Sequence, residues 1–248
     1  MANWIFQYGA ASLGVIADRV TFSQTMNAPT AIIPGQDGVS ITAPTKRERK
    51  ISIVGRLNDA NTTATRDAIN SLQNVLWNSG GTEKLRLHDD RHMNAYLTRF
   101  DHTWLPGVGA SAISLRMDFI ADHPFFVNDS SFTNLETPAV ATFSFSVVNT
   151  GSAVTPPELK FAAANSLFTT VAIENLTTGG TLTIVRSTAI GDEVRVNVAS
   201  FTVTDSAGAN LISTVTGKFP ELNPGTNSFV FTGSASDVRL TWNPRYDQ

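Results

Sequence analysis

An alternation of apolar and polar residues with a period of two runs through most of this 248-residue chain and restricts what it can fold into. In the segment 113–119 every second residue is apolar, and the residues between are polar or charged. Such a segment forms a strand that buries one face and exposes the other. The same pattern predicts a strand at 51–53, reached through the charged run 46–50. It also predicts a hairpin over 84–99 whose tip is the polar segment 88–92.

Only one stretch of the chain has a convincing helical periodicity, and it covers residues 63–78. Its apolar stripe consists of Ala68, Ile69, Leu72, Val75 and Leu76. Asp59 or Asn61 is placed to cap the helix start, and the pair Gly80-Gly81 is placed to end it. We therefore expect the first half of the chain to be a small β-barrel or sheet with one packed α-helix.

The second half of the chain contains short alternating segments separated by turn signals. The segments are 143–147, 171–173, 182–184, 194–198, 201–203, 229–231 and 238–242. Many short strands at this spacing predict a β-sandwich or jelly roll. The mainly β chain is therefore expected to divide into an N-terminal domain over 1–130 and a C-terminal domain over 131–248. The exposed boundary segment lies between Asn128 and Val140.

Composition narrows the classes of function. Charged residues make up 16% of the chain and the formal net charge is -3, so a strong electrostatic hold on DNA phosphates is not expected. The absence of cysteine rules out disulfides and cysteine-ligated zinc. No apolar run approaches the roughly 20 residues that span a bilayer, and the N-terminus lacks the features of a signal peptide. We expect no cofactor, no membrane insertion, and residence in the cytoplasm until assembly or release.

Residue clusters that could support catalysis or metal binding are weak in this sequence. The segment 88–92 (His-Asp-Asp-Arg-His) contains two histidines and two aspartates, but a short turn rarely directs four ligands at one centre. We interpret it as the polar tip of a hairpin and predict no metal site. The carboxylates that a glycoside hydrolase would need are scattered over Glu158, Glu174, Asp192 and Glu193. We therefore expect no catalytic residues and a protein that is not an enzyme, with a glycan-cleaving enzyme as the third alternative.

Trp242 raises the alternative of a carbohydrate-binding module or adhesin. Sugars stack on aromatic side chains, and Trp242 lies close to Arg239 in the last predicted strand. However, Trp242 continues the alternation of Val238 and Leu240, which directs its side chain towards the apolar face. We favour a core position for Trp242 and keep carbohydrate binding by Trp242 and Arg239 as the second hypothesis.

The order of elements along nearly the whole chain resembles that of the distal tail proteins of siphophages. In the first half the matching segments are the strand 51–55, the helix 63–78, the hairpin 85–100 and the segment 117–125. His123 interrupts the Asp-Pro-Phe-like end that this last segment has in the family. The second half is similar to the family's galectin-like C-terminal domain through 149–151, 156–159, 173–175, 222–227 and 238–242. No histidine precedes Asn243-Pro244-Arg245, so the sugar site of galectins is not carried over.

This resemblance implies a structural role in a phage virion. It implies a homo-hexameric ring at the distal end of the tail tube, a hub that links the tail tube protein to the tail tip or baseplate hub protein. The N-terminal domains would build the ring around a channel through which viral DNA passes without sequence-specific binding. The C-terminal domains would project outward and hold receptor-binding or other baseplate proteins.

A ring needs an interface between neighbouring subunits, and the charged run 46–50 is the candidate that the sequence offers. Charges crowded on one segment are often only solvated surface. The alternative is that Arg47 and Arg49 contact carboxylates of the neighbouring subunit and fix the register of the ring. Exposed pairs of this kind contribute little each, so apolar packing is expected to carry most of the association.

Overall fold

The protein consists of two compact units, Met1–Phe126 (unit 1) and Val127–Gln248 (unit 2). The structure, a computed structural model, describes residues 6–9, 11–27, 30–32, 39–41, 45–58, 61–78, 81–88, 90–105, 112–138, 140–165, 167–234 and 237–247. The domain division that the sequence predicts, between 130 and 131, lies a few residues after the division into these units. In the described part of the chain, no helix has the length and apolar character needed to cross a membrane.

Unit 1 is an antiparallel sheet with one helix packed against it. Its strands are β1 (Gln7–Tyr8), β2 (Ala11–Ser12), β3 (Ile16–Asn27), β4 (Thr30–Ile32), β5 (Val39–Ile41), β6 (Thr45–Asn58), β7 (Glu83–His88), β8 (Arg91–Trp104) and β9 (Ala112–Ala121). The helix α1 comprises Thr62–Asn78. The strands follow the order β2-β1-β7-β8-β9-β6-β3 across the sheet, and β4 pairs with β5. A short strand, β10 (Phe126–Asn128), spans the division between the units.

The helix α1 lies where the sequence predicts it and packs against β9. Asn61 caps its start, since Asn61 Oδ1 accepts a hydrogen bond from Ala64 N at 2.9 Å. The predicted stripe faces the core, where Ile69, Leu72 and Leu76 are buried. Full burial of each such side chain contributes about 1.5–3 kcal/mol. Two residues of the predicted cap and stop signals, Asp59 and Gly80, lie outside the described residues.

The strands of unit 1 are longer than the sequence pattern indicates. β6 pairs with β9 from Arg49 to Asn58 without interruption, which sets Ile51 opposite Phe119 in the core. The predicted hairpin is present as β7 and β8. The charged run 46–50 belongs to β6 itself rather than leading into the strand, because it pairs with the end of β3.

The other face of this sheet carries a hydrogen-bonded group around Asp118. Ser52 Oγ donates to Asp118 Oδ1 at 2.6 Å, and Arg116 Nε donates to the same oxygen at 3.1 Å. Burial alone would raise the pKa of Asp118. These hydrogen bonds, together with the charges of Arg116 and Arg99, hold the pKa of Asp118 below its ordinary value. The charged carboxylate is therefore the form that the fold stabilises.

Unit 2 is a sandwich of two antiparallel five-stranded sheets. Its strands are β11 (Phe132–Glu136), β12 (Thr142–Asn149), β13 (Glu158–Ala162), β14 (Phe168–Asn175), β15 (Gly180–Thr188), β16 (Glu193–Asn197), β17 (Thr202–Asp205), β18 (Val215–Gly217), β19 (Gly225–Gly233), β20 (Asp237–Trp242) and the short β21 (Arg245–Tyr246). Sheet I has the order β11-β20-β13-β16-β17, and sheet II has the order β12-β19-β14-β15-β18. The predicted mainly β fold, with one helix in the first half and a sandwich in the second, is confirmed.

The core of unit 2 lies between the two sheets and is formed by the alternating apolar residues. Sheet I contributes, among others, Leu159, Phe161, Val194, Val196, Val238, Leu240 and Trp242, and sheet II contributes Val147, Val171, Ile173, Leu182, Ile184, Phe229 and Phe231. One predicted strand residue lies elsewhere: Phe201 has a φ of 54° and is 63% exposed in the turn before β17. Its alternation with Val203 therefore does not reflect strand structure.

Three buried asparagines hold the loops at the end of sheet II where β12 ends and β19 begins. Asn149 Nδ2 donates to Leu222 O at 3.3 Å and to Ala153 O at 3.2 Å. Asn175 Nδ2 donates to Asn227 Oδ1 at 3.2 Å, and Asn227 Nδ2 donates to Gly225 O at 3.0 Å. Fully satisfied polar groups of this kind fix the loop conformations.

Two backbone segments approach each other closely beside this asparagine group, at Gly151. A Cβ atom at Gly151 would lie 2.3 Å from Arg245 O, so a side chain cannot be accommodated there without a shift of the backbone. The amide of Gly151 donates to Asn149 Oδ1 at 3.0 Å, which ties the same turn to Asn149.

The segment predicted to be the exposed boundary contains a strand. β11 pairs with β20 over its full length, from Phe132 opposite Trp242 to Glu136 opposite Val238. The sequence pattern does not predict it because Phe132 and Leu135 are both exposed and do not alternate with a period of two. Backbone pairing with β20, rather than burial of its own side chains, holds this strand in place.

We predict that limited proteolysis of the native protein cuts first at 129–131 or at 137–141, and not within β11. Exposed turns are the preferred sites of nicking, whereas a strand paired along its length resists it. Mass spectrometry of the early fragments identifies the sites. First cuts inside β11, or in the middle of either unit, would contradict this division of the chain.

We predict that Asn227→Ala lowers the free energy of unfolding by about 3 kcal/mol, because it leaves several buried backbone groups without partners. The control is Asn197→Ala, since Asn197 is exposed and its Oδ1 accepts one bond, from Ser200 N at 3.0 Å. That change should cost less than about 1 kcal/mol. Urea denaturation compares the two variants, and equal losses would show that the buried group has no special role.

We predict that Ser52→Ala destabilises unit 1 by about 1–2 kcal/mol at neutral pH, and that this loss shrinks as the pH falls. Because the pKa of Asp118 is lower in the folded than in the unfolded protein, its carboxylate stabilises the fold at any pH above the unfolded pKa of about 3.9. This stabilisation is lost as the pH falls through the pKa of the folded state. The control is Ser114→Ala on the same sheet face, whose hydroxyl bonds to no described residue. Denaturant unfolding over a range of pH tests this, and a loss independent of pH would contradict it.

Candidate assembly surfaces

Unit 1 exposes a group of aromatic side chains where α1 ends beside β8. Trp77, in the last turn of the helix, is 64% exposed, and Tyr96 is 44% exposed. The ring of Trp77 meets the half-buried ring of Phe100 edge to face, with centroids 6.5 Å apart. Trp77, Tyr96, Arg99 and Phe100 border one cleft and are called the aromatic surface below.

The cleft under the aromatic surface has a volume of about 440 Å³ and a rigid base. Tyr8 is buried at its base, and its hydroxyl donates to Ala95 O at 3.2 Å. The Tyr8 ring also contacts Phe119 in the core, with centroids 5.4 Å apart. The walls of the cleft are therefore anchored in the sheet, as a preformed binding surface requires.

The local sequence explains why these aromatics are exposed. Leu76 ends the apolar stripe of α1, and each helical residue turns by about 100° from the last, so Trp77 points away from the core. In β8 the pairing with β9 shifts register between Leu97 and Arg99, which marks a bulge beside the cleft. The sequence pattern alone does not predict this surface, although a tryptophan just outside the apolar stripe of a helix is a signal for it.

Arg49, one of the two arginines predicted to contact a neighbouring subunit, is buried in its own protomer. It is 4% exposed, and its guanidinium carbon lies 6.0 Å from the ring centroid of Phe22 and 5.8 Å from that of Phe126. Both distances fit cation–π contacts, in which the ring faces attract the cation. The expectation of an accessible Arg49 is therefore corrected, because the alternation of β6 turns it inward between two rings. The side chain of Arg47 lies outside the described residues.

The segment 88–92, which the sequence predicts to be a polar hairpin tip without a metal site, joins β7 to β8, with His92 buried and Asp90 exposed. Asp89 and the side chain of His88 lie outside the described residues. Within the part of the chain that the structure describes, no group of three histidine, aspartate or glutamate side chains could hold a metal ion.

The four scattered carboxylates do not converge on one centre. Glu174 belongs to sheet II, whereas Glu158 and Glu193 belong to sheet I. Glu193 forms ion pairs with Lys160 and Arg195. Burial would raise the pKa of Glu193, but the hydrogen bonds from Lys160 and Arg195 hold it below its ordinary value. A charged, paired carboxylate of this kind is a poor general acid.

Trp242 lies in the core of unit 2 and is 6% exposed. Its ring stacks on Phe132 of β11, with centroids 6.0 Å apart and an angle of 24° between the planes. Arg239, three residues earlier in β20, is exposed. In this structure Trp242 therefore offers no free ring face on which a sugar could stack, and its side chain is separated from Arg239 by the sheet.

Comparison with known proteins gives two independent likenesses. Residues 150–246 match the family described as "Siphovirus-type tail component, C-terminal domain". The crystal structure of the Dit protein of phage SPP1 aligns with 98% of this chain and 99% of its own, at a TM-score of 0.75 and 16% identity. One chain from the structure of the activated phage P2 baseplate aligns with 96% of this chain and 91% of its own length, with 8% identity and a TM-score of only 0.38. No curated protein matches the sequence.

The two likenesses cover different lengths of the chain and agree with each other. The family match falls within unit 2, and the structural likeness extends over both units. The resemblance to siphophage distal tail proteins that the sequence predicts is therefore confirmed: nearly the whole chain has the fold of the SPP1 Dit protein, and residues 150–246 match the siphovirus-type tail component model.

Proposed function

We propose that this chain is a structural protein of a siphophage tail, which forms a ring at the distal end of the tail tube and connects the tube to the tail tip or baseplate. The observation that supports this most is the likeness over both units to the Dit protein of phage SPP1, at a TM-score of 0.75. That protein is described as a paradigm of the hub adsorption apparatus in phages that infect Gram-positive bacteria. The family match in residues 150–246 supports the same role.

The ring is a closed homo-hexamer in this proposal, and unit 1 forms it. A closed ring needs a heterologous contact in which one surface meets a different surface on the next subunit. We assign the aromatic surface to one of the two surfaces of this contact, because Trp and Tyr side chains contribute much of the binding energy at interfaces. Arg47 remains the candidate for a charged contact that fixes the register, while Arg49 serves the core of its own protomer.

The remaining partners follow from the position of a hub. Unit 1 contacts the tail tube protein and the tail tip or baseplate hub protein, and unit 2 projects outward to hold a receptor-binding or other baseplate protein. Viral DNA passes through the central channel without sequence-specific binding, for which a net charge of -3 is suited because it offers no surplus of cations to the phosphates. The protein stays in the host cytoplasm until assembly, ends in the virion at the distal end of the tail, and acts without catalysis.

We predict that Trp77→Ser combined with Tyr96→Ser dissociates the ring while each protomer remains folded. Both side chains are exposed in the protomer, so their loss costs the fold little, whereas loss of an interface anchor costs at least about 2 kcal/mol, a roughly thirtyfold weaker contact. The matched control is Ile190→Ser, because Ile190 in unit 2 is 63% exposed. Light scattering measures the mass, and electron microscopy shows whether rings are present.

The outcomes separate the ring from its proposed interface. Rings in the wild type and the Ile190 variant, but not in the double variant, would support both. Rings in all three proteins would contradict the role of the aromatic surface. A wild-type protein that forms no ring at any concentration would contradict the proposed function itself.

A further inference from the structure

Sheet II of unit 2 ends in a long, uncharged strand, β12, whose outer edge pairs with no other described strand. β12 comprises the eight residues Thr142–Asn149, with no charge, no proline and no register shift against β19. The other outer strands of the sandwich are protected: β18 has three residues, β17 has four, and β11 ends in Glu136. A long uncharged edge is a template for pairing with a further strand.

The hydrogen bonds to β19 determine which backbone groups of β12 face this open edge. Gly233 N donates to Ala141 O at 2.8 Å, and the register continues with Thr142 opposite Thr232. In an antiparallel ladder, hydrogen-bonded pairs alternate with non-hydrogen-bonded pairs, so the odd-numbered residues of β12 bond to β19. The N–H and C=O groups of the even-numbered residues therefore point to the open edge; these residues are Thr142, Ser144, Ser146 and Val148.

The side chains along the open edge fit a further strand on both faces of the sheet. On the core side, Phe143 and Phe145 are only partly buried. The ring of Phe145 stacks on Phe229 and that of Phe143 contacts Phe231 at a tilted angle, with centroids 5.4 Å apart in each pair. On the outer side, the even-numbered residues are small and exposed, and Val148 is 54% exposed. An added strand would need apolar side chains at alternate positions and no charges.

We propose that this edge pairs with the β12 strand of a second copy of the chain, which joins sheet II of both copies into one continuous antiparallel sheet. Among the described strands, β12 itself meets these requirements: it is long, it alternates apolar and polar residues, it has no charge, and one of its edges is unpaired. This inference goes beyond the proposed ring and does not depend on it, because the contact joins two copies by the same surface instead of different ones.

The pairing register follows from the alternation and the twofold symmetry. The even-numbered residues must form the hydrogen-bonded pairs, and the register that uses all four sets Thr142 opposite Val148 and Ser144 opposite Ser146 of the second copy. This gives about eight new backbone hydrogen bonds. On the core side, Phe145 meets its own counterpart, and Phe143 meets Val147, combinations that stabilise neighbouring strands.

The test uses the full-length protein and measures its mass in solution by light scattering. Ser144→Pro removes an N–H group that faces the open edge and no bond to β19, so it blocks the pairing and spares the protomer. Ser144→Ala keeps that N–H group and is the control. A second variant, Ser144→Lys with Ser146→Lys, sets lysines directly opposite each other across the twofold axis, and its control is Thr181→Lys with Thr183→Lys on β15.

The pairing predicts a twofold lower mass for the proline and edge-lysine variants than for the wild type and both controls, and added salt should partly restore the lysine variant. If the proline variant does not fold, the lysine variant decides. Equal mass in all five proteins would overturn the proposal. If the wild-type protein is a dimer and the two edge variants are monomers, the result would support this pairing and count against the ring. If all five proteins form rings of the same mass, the result would support the ring and contradict the pairing.

Discussion

The uninterrupted pairing of β6 with β9 is the constraint on which unit 1 depends. It sets Ile51 opposite Phe119 in the core and Ser52 opposite Asp118 on the polar face. A shift by one residue would exchange the two faces, and the apolar face covered by α1 would become charged. The same alignment allows the short hydrogen bond from Ser52 to Asp118 and holds β8, which carries Tyr96, next to β9. The core, the polar face and the aromatic surface thus follow from one register.

Unit 2 depends in a similar way on a few buried polar groups. Asn149, Asn175 and Asn227 are each at most 1% exposed. Asn149 and Asn175 donate to the backbone of a loop distant in sequence, at Leu222 and Glu221, and Asn227 satisfies the backbone of its own turn at Asn223. These asparagines lie in the segments 149–151, 173–175 and 222–227, which are among those that resemble the family's C-terminal domain. The resemblance in these segments therefore has a physical basis, since side-chain amides replace the missing partners of loop backbones.

Elements with strong periodicity could be predicted from the sequence, and features that depend on context could not. The helix α1, the strand β9 and the core position of Trp242 follow from local alternation. The strand β11 could not be predicted because its pairing with β20, and not its own sequence pattern, supplies its stability. Arg49 was expected at the surface because a run of charged residues gives no sign that two phenylalanine rings enclose one of its side chains. Of the candidate surfaces, only the charged run 46–50 could be proposed from the sequence. The aromatic surface and the open edge of β12 could not, because the exposure of a side chain or a strand edge depends on which elements pack beside it.

A hub is defined by its position in the virion, so the central claim is tested most directly there. The fold and the family match support the proposed role in a tail, and the aromatic surface of unit 1 provides a basis for the proposed assembly. The decisive measurement is electron microscopy of virions of the phage that encodes this chain, labelled with a gold-conjugated antibody raised against the protein. We expect the label at the distal end of the tail, opposite the capsid. Label on the capsid or along the tail shaft, or virions that lack the protein altogether, would contradict the account.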